Sequence, residues 1–97
     1  MTTITKQNFK LYEIAEEFKE NFVETAWNDL SDFHAEALKW VGDAMRPKDS
    51  EQFWNNGCYC WWTDRQTHEF CVWQTVNGIL MYEDVTEHKL YRVGFNR

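Results

Sequence analysis

Residues 5–28, T-K-Q-N-F-K-L-Y-E-I-A-E-E-F-K-E-N-F-V-E-T-A-W-N, decide how the chain is read. At about 100° per residue, Leu11, Ile14, Ala15, Phe18, Phe22 and Ala26 gather on one side. No proline or glycine interrupts the run, and Thr5 stands where an N-cap would. The spacing predicts an amphipathic helix from Thr5 to about Asn28. Glu13, Glu17, Glu20 and Glu24 follow the opposite side at helical angles of about 0°, 40°, −20° and 20°. On a helix rising ~1.5 Å per residue they would form a line about 16 Å long, flanked by Glu16.

C-terminal to this stretch, Ser31 reads as a second N-cap, with Asp32 in the favourable first turn. Phe33, Ala37, Trp40, Val41 and Ala44 then repeat at helical spacing until Arg46-Pro47-Lys48 stops the helix. Gly42 is a soft spot near its end. The second half reads as strands. Gln52-Phe53-Trp54 fits an edge strand or one helical turn, and Asn55-Asn56-Gly57 is a turn. Cys58–Thr63, His68–Val76, Ile79–Val85 and Lys89–Phe95 are strand runs with short polar links. Asn77-Gly78 is the strongest hairpin signal, of type I′. The expected fold is α+β: two N-terminal helices packed on one face of an antiparallel meander of about four strands. It is one domain over 1–97, with a helical half (5–46) and a β-rich half (52–96).

Composition narrows the function classes. Hydrophobic residues make up 43 % of the 97, and aromatics 18 %, which is too apolar for a disordered chain. A net charge of −6 argues against direct nucleic-acid binding and against adhesion to anionic membrane, since both need Lys and Arg. No targeting segment or membrane span stands out, so a cytoplasmic location is expected. In that compartment Cys58, Cys60 and Cys71 would stay reduced.

The charge is unevenly distributed. Residues 1–43 hold nine acids against four lysines, a net of −5, whereas the remainder holds seven acids against six bases, a net of −1. Glu13/Glu17 and Glu20/Glu24 are i, i+4 like-charge pairs, each of which destabilises a helix by about 0.2–0.5 kcal/mol. An ordinary solvated helix face is one explanation. The other is a row of carboxylates presented to a basic groove, roughly imitating the charge along a nucleic-acid strand. The row continues through Asp29, Asp32 and Glu36.

Other motifs carry less. Cys58-X-Cys60 with His68-X-X-Cys71 has the residue types of a zinc site. If 64–67 is a four-residue loop, however, the three thiols share one sheet face and His68 points to the other. Packed, reduced thiols are then expected, with no metal and no cofactor. No nucleophile motif or phosphate-cradling glycine loop is present, and His34, His68 and His88 are scattered, so no catalytic residues are assigned and an enzyme is not expected. Trp61 and Trp62 are adjacent and must face opposite ways, so one of them is a candidate interface anchor if uncovered.

The opening M-T-T-I-T-K-Q-N-F (1–9) and the acidic segment E-I-A-E-E-F-K-E (13–20) resemble type I-F anti-CRISPR proteins, small phage inhibitors of bacterial defence. The resemblance implies binding to the RNA-guided surveillance complex in the bacterial host, and blocking of target DNA by imitation of its charge. Glu13, Glu17, Glu20, Glu24, Asp29, Asp32 and Glu36 would then be the partner-binding residues, standing in for phosphates. The alternatives are an adaptor or toxin-neutralising protein that uses an aromatic sheet face, and a small zinc module.

Overall fold

The computed structural model of the chain describes residues 9–25 and 32–95. Its frame is a six-stranded antiparallel sheet of β1 (Phe9–Glu13), β2 (Glu51–Asn55), β3 (Cys58–Thr63), β4 (His68–Gln74), β5 (Leu80–Asp84) and β6 (Lys89–Phe95). The spatial order is β1-β6-β5-β4-β3-β2. β2 to β6 form a meander, and β1 returns to pair with β6, setting Leu11 opposite Val93 and Tyr12 opposite Arg92. A single α-helix occurs among the described residues, α1 (Asp32–Met45). No helix among them is long and apolar enough to cross a membrane.

The central hairpin explains this layout. Cys58 to Trp61 are all buried, although adjacent strand residues point to opposite faces. Tyr59 and Trp61 join Val72 on one face and pack under Leu38 and Val41 of α1. Cys58, Cys60, Cys71, Trp73, Met81 and Leu90 form a second cluster on the other face, covered by Ile14 and Phe22. We call these the aromatic face and the thiol face.

Two N-terminal helices on a four-stranded meander are therefore not what the chain forms. The N-terminal helix expected over 5–28 is replaced, among the described residues, by β1, a 3₁₀ segment at Glu16–Asn21 and an extended return through Phe22. Of the expected helical half, α-helix occurs only at Asp32–Met45 among the described residues. F-K-L-Y-E also satisfies the strand period, and β6 offers it a full edge of backbone hydrogen bonds. The thiol face also needs a cover, which a second helix on the aromatic face would not supply. The helical period misplaced three side chains as buried: Leu11 is 41 % and Phe18 is 53 % exposed, and Ala15 is exposed too.

The turns were also partly misassigned. Asn56 and Gly57 both have positive φ (49° and 89°) between the paired residues Asn55 and Cys58, so the type I′ hairpin is here. At Asn77-Gly78 only Gly78 has positive φ, and the Gly78 amide donates to the Thr75 carbonyl (2.9 Å). This is the three-residue loop with a left-handed third residue. Thr75 stabilises it by accepting the Asn77 and Ile79 amides on its hydroxyl.

α1 sits close on the sheet because Gly42 lies over the Tyr59 ring, and the Tyr59 hydroxyl donates to the Asp43 carboxylate. A Cβ at Gly42 would stand 2.2 Å from Tyr59 Cδ1. Glycine to alanine in a helix interior ordinarily gains up to about 1 kcal/mol. Here overpacking of about 1–3 kcal/mol opposes that gain. Gly42→Ala is expected to lower the urea midpoint, and a raised midpoint would show that the helix does not rest on Tyr59.

Candidate functional site

Residues 14–25 form a strap across the thiol face. Its ends are tied by backbone: the Ile14 amide donates to the Leu90 carbonyl (2.9 Å), and the Thr25 amide to the Gln74 carbonyl (2.8 Å). Glu24 forms an isolated antiparallel bridge with Thr75. With Ile14 and Phe22 turned onto the sheet, Glu16, Glu17 and Glu20 are left exposed to solvent. Lys19 is the strap's one cation. Its ammonium pairs with Glu16 (2.7 Å) and also donates to the His88 carbonyl. The hydrogen bond from Lys19, and then its charge, hold the Glu16 carboxyl below its ordinary value. Among the described residues no ion pair reaches Glu17 or Glu20.

The sheet beneath adds carboxylates. Strand register places Glu51, Glu69 and Glu83 on the thiol face. Glu51 accepts the Gln66 amide (2.6 Å), and Glu83 accepts the Trp73 indole N–H (3.1 Å). Among the described residues the cations on this face are Lys10, Lys19 and Arg92, with Lys89 at its margin beside Glu16 and Glu83, and the Arg92 guanidinium lies 4.5 Å from the Tyr12 ring centroid. Among the described residues seven acids (Glu16, Glu17, Glu20, Glu24, Glu51, Glu69, Glu83) thus face three bases and the marginal Lys89.

The seven residues singled out from sequence do not form one line. Glu17, Glu20 and Glu24 share the strap, but with 3₁₀ and extended backbone between them. Glu13 is exposed on β1, where register turns it toward the aromatic face. Glu36 is exposed on α1, and Asp32 is its first residue. Asp29 lies outside the described residues. The strand carboxylates Glu51, Glu69 and Glu83 were missed. Strand parity was the available signal, since Glu69 stands two residues before Cys71 on one strand.

Below the strap the thiols and carboxylates form a row. Cys58 donates to Glu24 (2.9 Å), Cys60 is the cross-strand partner of Cys71, and Cys71 donates to Glu69 (3.5 Å). Bonding to Cys60, then burial, then Glu24 raise the Cys58 thiol. For Cys60 and Cys71 a thiol–thiol bond favours ionisation. The Cys60–Cys71 bond and burial outweigh it at Cys60, and burial with nearby negative charge at Cys71, so both are raised. One ligand atom each from Cys60, Glu69 and Cys71 lies within 4.8 Å of the others. His68 belongs elsewhere. It stacks on Phe70 (4.5 Å between centroids) and its Nε2 lies 2.7 Å from Asp84 Oδ1.

The aromatic face carries a second feature, a cavity of about 370 Å³ lined by Met45, Pro47, Asp49, Trp61, Thr63, Phe70 and Tyr82. Its floor is a set of stacked rings, Trp61 with Phe70 and Tyr82. Comparison with protein-family models, with curated proteins and with solved structures finds no match.

Burial, then the charge of Asp84 and the neighbouring Tyr91, push the Tyr82 phenol up to about 12. Burial and the bond to Asp43 raise Tyr59 as well. In the unfolded chain these phenols ionise near 10. Between those values the unfolded state has lost protons that the folded state keeps, so stability is full below pH 10 and declines as pH rises towards 12. Phenolate absorbance in an alkaline titration should show tyrosines that resist ionisation until unfolding begins. Complete ionisation of all four with one ordinary midpoint, in the folded protein, would contradict this packing.

Proposed function

We propose that the chain is a stoichiometric inhibitor whose acidic strap docks on a basic nucleic-acid-binding surface of an RNA-guided CRISPR surveillance complex and so excludes target DNA. The carrying observation is the excess, among the described residues, of seven carboxylates over three cations and the marginal Lys89 on the strap-covered face, with Glu17 and Glu20 exposed and outside any ion pair. Arginines that grip phosphate oxygens bidentately accept carboxylates by the same geometry. Such an inhibitor would compete for those arginines without catalysis and without a cofactor, in the cytoplasm of a bacterial host.

The charge is spread over an area, from the strap and the strands beneath it, where a helix would have set it in a line. An areal patch suits a cluster of Arg and Lys side chains more than a narrow groove. Docking through an aromatic anchor has less to stand on. Trp61 is buried under α1 and Trp62 stacks on Phe53 (5.1 Å), which leaves Trp54 on edge strand β2, packed edge-on against Tyr59, as the exposed indole among the described residues.

Binding should weaken as salt rises, because screening acts on both partners' charges. Glu17→Lys with Glu20→Lys is expected to weaken binding to the purified surveillance complex by about a hundredfold or more, since like-charge juxtaposition costs several kcal/mol. Far-UV circular dichroism should be unchanged, and Trp54→Ala should retain inhibition. DNA-binding competition at low and high salt reads all three. Full inhibition by the folded double variant, or a larger loss from Trp54→Ala, rejects the proposal.

A further inference from the structure

The row of thiols under the strap has a composition that packing alone does not account for. Cys58, Cys60 and Cys71 are buried on one face among Trp73, Met81 and Leu90. An apolar cluster needs no carboxylate, yet one closes each end of the row: Glu24 on Cys58 and Glu69 on Cys71. From the convergence of one ligand atom each from Cys60, Cys71 and Glu69 we infer that these residues form a three-ligand site for a thiophilic divalent cation of the zinc type.

The geometry fits such an ion with little adjustment. Zinc bonds of about 2.3 Å to sulfur and about 2.0 Å to carboxylate oxygen place tetrahedral ligand atoms about 3.8 Å (S···S) and about 3.5 Å (S···O) apart. Cys71 Sγ and Glu69 Oε2 already stand 3.5 Å apart, and Cys60 joins them within 4.8 Å. Cys58 stands two residues before Cys60 on the same strand face, with its thiol turned to Glu24, and lies outside the set. Sulfur donors select zinc, cadmium or cobalt over magnesium and calcium, which prefer all-oxygen sites. Three protein ligands leave the fourth tetrahedral position to a water molecule. The ion would clamp β3 to β4 beneath the strap. Cys60 and Cys71 each release a proton to solvent as the sulfur binds the ion.

The ligand set differs from a Cys and His constellation, because His68 is on the aromatic face beside Asp84. That difference supplies a control. Reduced, metal-free protein titrated with Co²⁺ should develop intense visible d–d bands and a thiolate-to-cobalt charge-transfer band, saturating at one equivalent and bleached by Zn²⁺. Cys60→Ser and Cys71→Ser should abolish the tetrahedral spectrum, Glu69→Gln should weaken binding at least about tenfold, and His68→Ala should leave it unchanged. Should the serine variants fail to fold, ¹¹³Cd NMR of the unaltered chain counts the thiolates directly, with two expected. No tetrahedral band with fully reduced protein, or a spectrum lost in a folded His68→Ala variant, overturns the assignment.

Discussion

Apolar side chains on both faces of the β3–β4 hairpin impose the architecture. Tyr59 and Trp61 alternate with Cys58 and Cys60, and their partners Val72 and Cys71 continue the two faces on β4. A sheet buried on one side only would show apolar and polar residues in turn. This one must be covered twice by a short chain. α1 supplies one cover with Leu38 and Val41, and the strap supplies the other with Ile14 and Phe22. Linkage through Gly42 and Tyr59 on one side, and through the Leu90 and Gln74 carbonyls on the other, holds both covers to the same strands.

That constraint also shapes the surface. A helix over residues 5–28 would have turned Leu11, Ile14, Phe18 and Phe22 one way and the glutamates the other. The strap achieves a similar division with fewer buried groups. Ile14 and Phe22 face the thiol cluster, while Glu16, Glu17 and Glu20 face solvent. Like charges that would have stood four residues apart on a helix are carried on irregular backbone, where the i, i+4 repulsion does not arise. The acidic surface and the cover for the thiol face are thus two sides of one segment.

Local chemistry made much of the second half legible. The four-residue link 64–67 sets Thr63 opposite His68, and from that pairing the shared face of the thiols and the separation of His68 follow by parity alone. The same parity places Glu69 with Cys71, a relation that Cys and His spacing alone does not contain. Turn chemistry was ambiguous, because Asn56-Gly57 and Asn77-Gly78 carry the same dipeptide. The ladder ends at Asn55 and Cys58 in the first case. In the second the Thr75 hydroxyl caps two amides and permits a longer loop.

The sequence by itself determined the strand runs of residues 58–95, the helix that ends before Pro47, the acidic excess and the common face of the three thiols. Each of these depends on near neighbours, on alternation, or on composition. Only the tertiary structure decided that residues 9–25 become an edge strand and a strap. F-K-L-Y-E (9–13) fits a strand as well as a helix, and I-A-E-E-F (14–18) carries the helical period alone. The choice was made by partners distant in the chain, the open edge of β6 and the uncovered thiol face, whose hydrogen bonds and burial outweigh local preference.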